Sequence, residues 1–231
     1  MRLDKLLVEL NIGTRSEVKA LLKKGLILVD GTKVTKPETK VDENTVVISY
    51  QGKDYSCKKF SYYIMNKPKG VITATEDAKE QTVMDVFYGQ VPDAPRGLSP
   101  VGRLDKDTTG LLLITNNGQL AHDMLSPKKH VDKTYFVTMD GELTSDDVEA
   151  LETGVRIGEG ELTAPATVEY QSGNTCYITI HEGKFHQVKR MFFAVGRQVV
   201  DLKRTAFGNL TLDESQLPLG TVQEISESNI S

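Results

Sequence analysis

Apolar residues recur along the chain at three spacings, and each predicts a different element. Leu3, Leu6, Leu7 and Leu10 fall at i, i+3, i+4 and i+7, so residues 2–10 read as an amphipathic helix, broken at Asn11-Ile12-Gly13. A second helix starts at Thr14, whose spacing to Glu17 fits a capping box, and stops at Gly25; Val18, Leu21 and Leu22 are its apolar arc. Alternation then takes over: residues 26–29, the hairpin pair Asp30-Gly31 and residues 45–50 predict short strands. The polar stretch 51–59 reads as a linker.

Residues 61–66 and 71–75 predict two strands around the proline turn Lys67-Pro68-Lys69-Gly70. Residues 76–100, rich in proline, glycine and charge, predict an irregular crossing. The unbroken apolar run Leu111-Leu112-Leu113-Ile114, bounded by Gly110 and Asn117-Gly118, is the third spacing and predicts a central strand buried on both faces. A short helix follows at 119–125, stopped by Pro127. Residues 133–139 alternate as a strand with Tyr135, Val137 and Met139 on one side. Thr144 and Asp147 cap a helix that Gly154 ends, with Leu143 and Val148 placed for a hydrophobic staple. Residues 175–181 form another strand, and Glu182-Gly183 turns the chain into a helix with Val188, Met191, Phe192 and Val195 as its buried stripe. His186, Lys189 and Arg190 share the opposite side of that helix. Beyond Phe207 a last strand or two and a frayed acidic tail are expected. Strands outnumber helices without alternating regularly with them, which favours an α+β layout with a largely antiparallel sheet over a doubly wound one.

The 231 residues have room for one large domain or a large and a small one. No stretch approaches the roughly 20 apolar residues of a membrane span, and Asp4, Lys5 and Glu9 interrupt any secretory signal of the usual form. A soluble cytoplasmic protein is expected. Cys57 and Cys176 have no metal-ligand spacing around them, so two reduced thiols are expected. The net charge of -4 is unevenly spread: residues 1–59 hold twelve Lys+Arg against eight Asp+Glu, residues 60–209 hold sixteen against twenty, and residues 210–231 hold four acids alone. Within the cationic N-terminal piece, Arg15, Lys19 and Lys23 recur every four residues along one helix face. That row suits a helix tracking phosphates and equally a solvated lysine face.

Candidate chemistry lies at the entrance to the buried run. Arg103 and Asp105 occupy a polar turn delivered to that strand, and loops held by a rigid scaffold are where chemistry tends to sit. The same composition fits an ordinary turn. Asp105, Asp107 and Gly110 match three positions of a calcium loop, but Asn116 stands where the bidentate Glu belongs and the run before it is apolar, which excludes that reading. The Asp105 carboxylate, the Tyr135 phenol and a cation from Lys189 or Arg190 are the groups that could converge. There is no glycine-rich phosphate loop and no nucleophile elbow, and His122, His130, His181 and His186 form no zinc motif.

Gly102-Arg103-Leu104-Asp105 followed by Thr109-Gly110-Leu111-Leu112-Leu113 resembles the active-site motif of RNA pseudouridine synthases. Asn66-Lys67-Pro68-Lys69-Gly70, Lys133-Thr134-Tyr135 and Glu182-Gly183-Lys184-Phe185-His186-Gln187-Val188-Lys189-Arg190-Met191 resemble three further blocks of that family. Arg2-Leu3-Asp4-Lys5-Leu6-Leu7 and Gly25-Leu26-Ile27-Leu28-Val29-Asp30-Gly31 resemble the S4-like RNA-binding domain named after the fourth small-subunit ribosomal protein. Each block is weakly specific, whereas the set in this order covers nearly the whole chain. It is most similar to the RsuA branch, which acts on one uridine of small-subunit ribosomal RNA.

The resemblance implies an S4-like domain over residues 1–59 and a pseudouridine synthase domain over 60–231, α+β and built on a mixed, mostly antiparallel sheet. It implies isomerisation of uridine to pseudouridine, in which no group enters or leaves, so no cofactor and no metal is expected. Asp105 would be the catalytic carboxylate, with Lys189 as the cation favouring its charged form and Tyr135 stacking on the uracil and assisting removal of the ring-carbon proton. Arg103 would fill the gap left by the extruded base. Lys67, Lys184 and Arg190 would contact phosphates, as would Arg2, Arg15, Lys19 and Lys23 in the N-terminal domain. The implied partner is ribosomal RNA in a small-subunit assembly intermediate, bound by a monomer away from membranes. Thr109 stands where serine is common, and Gln223 where a basic residue is frequent. Two other readings are a synthase acting on large-subunit RNA, which more often carries arginine in place of Lys189, and a non-catalytic RNA-binding assembly factor.

Overall fold

Two short helices and a four-stranded sheet build the first of the two units into which the chain divides, Met1–Phe60 and Ser61–Ser231. The computed structural model describes residues 1–43, 45–56, 60–158 and 160–230. Helix α1 (Leu3–Glu9) buries Leu3, Leu6 and Leu7, and α2 (Arg15–Lys23) buries Val18 and Leu22. Thr14 caps α2: its hydroxyl accepts from the Glu17 backbone N–H, and the Glu17 carboxylate accepts from the Thr14 backbone N–H at 2.7 Å. Such a cap stabilises a helix by about 1 kcal/mol.

The small sheet runs β2-β1-β3-β4, from β1 (Ile27–Val29), β2 (Thr32–Lys33), β3 (Val47–Tyr50) and β4 (Lys53–Ser56). Asp30 and Gly31 both take positive φ, as a two-residue hairpin turn requires. Gln51-Gly52 does the same with φ of 51° and 74°, and this folds residues 53–56 back onto β3 as a strand instead of releasing them as linker. The end of that stretch, residues 57–59 with Cys57, lies outside the described residues.

The second unit is a large mixed sheet in the order β11-β12-β8-β13-β7-β5-β15. Its strands are β5 (Tyr62–Lys67), β6 (Ser99–Pro100), β7 (Thr109–Thr115), β8 (Lys133–Met139), β11 (Thr167–Ser172), β12 (Thr175–Ile180), β13 (Val199–Phe207), β14 (Leu210–Thr211) and β15 (Val222–Ile225), while β9 (Arg156–Ile157) and β10 (Glu161–Leu162) form a separate ribbon. Among these pairings only β7 with β13 is parallel. All seven residues of β7 are buried, as an apolar run with helices and strands around it demands. In β8 every second residue is buried, so Tyr135, Val137 and Met139 enter the core together.

Helices α3 (Val83–Gln90), α4 (Gly118–Leu125), α5 (Ser145–Thr153) and α6 (Gln187–Ala194) complete the unit. Helix α3 lies in the stretch expected to be irregular; a Thr82–Asp85 capping box starts it, and Val83, Met84 and Phe87 are buried. Residues 71–75 are not a strand. Thr73 turns its hydroxyl to the backbone of Leu104, and only Ile72 makes an isolated bridge, to Thr82. The nine-residue β13 escapes the apolar pattern because Asp201, Lys203 and Arg204 interrupt it. Val195 caps α6 and is half-buried, outside the helix's fully buried stripe. The acidic tail is not frayed: β15 pairs with β5, and Ile230 is buried.

Candidate active site

Asp105 is held by the backbone around it. The Lys67 side chain, at the end of β5, is fully buried, and its ammonium donates to the carbonyls of Pro68, Asp105, Lys106 and Thr108 at 2.9–3.4 Å. Gly70 N–H donates to the Lys106 carbonyl at 2.8 Å, and the Thr73 hydroxyl donates to the Leu104 carbonyl at 2.7 Å. The proline turn thus clamps residues 104–108 from one side and aims the Asp105 carboxyl outward. The resemblance made Lys67 a phosphate contact, but its buried ammonium is instead engaged by the carbonyls of Pro68, Asp105, Lys106 and Thr108. Burial pushes Lys67 down to about 8, against the pull of Asp107 and Asp105.

The cation facing Asp105 is Lys189, in the first turn of α6. Its ammonium lies 2.9 Å from Asp105 Oδ2 and 2.6 Å from Asp107 Oδ1. The Asp105 side chain is 27% exposed, enough for a ligand to reach, whereas that of Asp107 is 71% exposed. Burial works to lower the Lys189 pKa, but hydrogen bonds and charge from Asp107 and Asp105 outweigh it and hold the ammonium above its ordinary value. The Lys189 hydrogen bond in turn holds Asp107 below the usual carboxylate range. On the other side of Asp105, His186 Nε2 lies 3.5 Å from Oδ1. His186 reaches it from a left-handed backbone, φ 48°, immediately before α6.

Tyr135, buried in β8, stands in register with Arg204 of β13, which in turn pairs with Gly110 near the start of β7. Its ring belongs to the core that also takes in Leu104 and Val188, the neighbours of Asp105 and Lys189. The fully buried Arg204 lies beside the phenol, donates from Nε to the Leu111 carbonyl at 2.8 Å, and places its guanidinium 4.7 Å from the Phe207 ring centre. Gly110 lets β7 and β13 approach here: a Cβ on it would stand 2.2 Å from the Arg204 carbonyl oxygen. The Asp105 carboxylate, 2.9 Å from the Lys189 ammonium and 3.5 Å from the His186 imidazole, is a partly exposed polar group that a nucleoside could reach.

The family profile described as RNA pseudouridylate synthase matches residues 61–194, and an S4 domain profile matches residues 1–47. The chain belongs to the RNA pseudouridylate synthase family. It is 47% identical over 235 residues to the uncharacterized RNA pseudouridine synthase YtzG of Bacillus subtilis, covering 100% of this chain and 97% of that one. It is 40% identical over 232 residues to ribosomal small subunit pseudouridine synthase A of Vibrio cholerae, covering 100% and 98%. A solved structure described as that of a pseudouridylate synthase is 34% identical, with a TM-score of 0.68 and coverage of 100% and 98%.

In this pseudouridylate synthase the three expected catalytic side chains come from β8, α6 and the loop before β7. Of the expected RNA contacts, Arg103 is exposed, as are Arg15, Lys19 and Lys23. Arg2 is exposed and paired through two nitrogens with Asp4. Lys184 is held by Glu182 at 2.5 Å and by the Leu162 carbonyl. Arg190 leaves the Asp105 side for Glu161 and the carbonyls of Ile157 and Phe185. Helical spacing put Arg190 beside Lys189, but the two diverge by one residue's rotation about the axis. Asp107 and His186 joined the site without being expected there. Among the described residues, no group of three or more His, Cys, Asp or Glu is placed to hold a metal ion, and no helix is long and apolar enough to cross a membrane. Cys176 is buried as a free thiol, pushed up to about 11 by burial.

Proposed function

We propose that the protein isomerises a specific uridine of small-subunit ribosomal RNA to pseudouridine in the cytoplasm, with Asp105 as the reactive carboxylate and no cofactor. The Asp105–Lys189 pair, 2.9 Å apart and open to solvent on one side, carries this reading. In the reaction the bond from the sugar to the ring nitrogen breaks and a bond from the same sugar carbon to a ring carbon forms. The ring carbon loses a proton and the freed nitrogen gains one, so atoms and electrons balance within the nucleoside. A carboxylate beside the sugar supplies the negative charge that bond cleavage calls for, and the Lys189 ammonium, 2.9 Å from it, holds it in place.

Tyr135, on the core side of the site, offers its ring face to the uracil and its phenol to the proton that must leave the ring carbon. The target base has to quit its stack to enter, at a cost of roughly a few kcal/mol. Arg103, exposed two residues before the carboxylate, is the side chain placed to occupy the vacated space. Arg2, Arg15, Lys19 and Lys23 track phosphates from the N-terminal unit, and Lys184 and Arg190 steady RNA near α6 with whatever charge Glu182 and Glu161 leave them. Likeness to the relative named for small-subunit RNA supports this choice of substrate.

The test is to map pseudouridines in ribosomal RNA from cells with and without the gene, and to restore the missing one with purified protein acting on naked RNA or partly assembled small subunits. One small-subunit pseudouridine that disappears and returns supports the reading. A change in large-subunit RNA would reassign the substrate. No conversion in either, with RNA bound all the same, would make the protein a binding factor only.

A further inference from the structure

Next to the reactive carboxylate stands a large aromatic side chain in water. Phe185 is 75% exposed, and one face of its ring lies against the His186 imidazole, centres 3.8 Å apart and planes 19° from parallel. His186 in turn reaches to 3.5 Å from the Asp105 carboxylate. Asp105, imidazole and phenyl ring therefore form a short series running outward from the reaction centre. Its segment is held: Arg190 Nη1 donates to the Phe185 carbonyl at 3.0 Å, and Gln187 Oε1 accepts from the Lys184 N–H at 2.9 Å. The left-handed backbone of His186, unusual for a residue with a Cβ, is what turns the two rings together.

We propose that Phe185, backed by His186, is the platform on which the nucleobase next to the target uridine stacks. The inference rests on Asp105 being the reactive carboxylate, as proposed above. Exposing a phenyl ring to water is unfavourable, and its outer face is the surface a flat base covers. Single-stranded RNA is bound by such aromatic faces, which accept a base of any sequence. Once the target base is extruded its neighbour is left with one bare face, and the ring supplies a replacement at the mouth of the site. Phe185 thereby holds the strand in register while the uridine turns inside.

The chain has no tryptophan, so Phe185→Trp introduces a lone fluorophore at the platform. Its emission is expected to fall by about half or more when unmodified small-subunit ribosomal RNA is added to saturation. Phe193→Trp, at an equally exposed position in the last turn of α6, is expected to stay unchanged. In turnover, Phe185→Ala is expected to raise KM about tenfold with kcat held within about twofold, because a stacked neighbour is bound equally in ground and transition states, and Phe185→Tyr is expected to restore KM. Equal quenching at both positions, no quenching at 185 with RNA bound, or an unchanged KM in Phe185→Ala would each overturn the platform. Wild-type protein that makes no pseudouridine would instead overturn the proposed function, and the fluorescence pair would still decide the stacking.

Discussion

One ammonium serves two carboxylates in this site, and that sharing sets what each substitution does. Lys189→Gln leaves Asp105 and Asp107 facing each other without a cation; pseudouridine formation is expected to fall about a hundredfold or more in kcat, and Lys189→Arg to recover most of it. Asp107→Asn, at a mostly exposed position, is expected to stay within about threefold of wild type in the same assay. Lys67 acts at one remove. Its folded pKa of about 8 lies below the unfolded lysine value, so between about pH 8 and 10.5 the unfolded chain binds more protons and this group's contribution to stability rises with pH. Activity goes the other way: above about pH 8 the neutral amine has lost one donor to the loop that carries Asp105. An alkaline fall in kcat/KM with the protein still folded by circular dichroism is expected, absent from the residual activity of Lys67→Met. Asp105 and Lys189 were legible from their motifs, since a carboxylate in a polar turn before a buried strand and a cation in a later block are both sequence features. Lys67 was misread because a lysine before a proline turn looks exposed; only the fold shows four carbonyls closing on it. His186 was grouped with Lys189 by helical spacing but given no role; it reaches Asp105 from a left-handed residue just before the helix, a conformation that spacing does not foresee.

At the level of elements, the parallel pairing of β7 with β13 is where backbone geometry touches the site. Gly110 has φ +104° and faces the Arg204 backbone, so an added methyl group meets both strain and a carbonyl oxygen at 2.2 Å. Gly110→Ala is expected to lower unfolding free energy by about 3 kcal/mol or more, read as a shift in urea midpoint with unchanged slope. The apolar run of β7 and the alternation of β8 were plain in the sequence, because burial on two faces and on one face leave different periods. β13 was not, since its buried positions include an arginine, and hydropathy cannot foresee a guanidinium packed on Phe207 and bonded to the Leu111 carbonyl. Helix α3 was hidden by its flanks: charge and proline on both sides masked a Thr82–Asp85 cap that the residue spacing did contain.

For the whole molecule, the division at Phe60 separates a cationic unit from an acidic one. If the row on α2 tracks phosphates, Lys19→Glu with Lys23→Glu weakens RNA binding at low salt by about tenfold or more and flattens the dependence of log affinity on log salt by about one to two, while kcat at saturating RNA is unchanged. Filter binding across a salt series checks this, and an unchanged slope would assign the row to a solvated face. The two-unit layout was legible in the sequence because the helix-hairpin module at the start and the long mixed-pattern remainder differ in both charge and period.

Asp105→Asn bears most directly on all of this, since it removes one charge and keeps the shape. With unmodified ribosomal RNA as substrate, pseudouridine formation is expected to drop below detection, at least about a thousandfold, while RNA affinity stays within about threefold. A variant that still converts uridine at a tenth of the wild-type rate or faster would show that the chemistry lies elsewhere in the molecule.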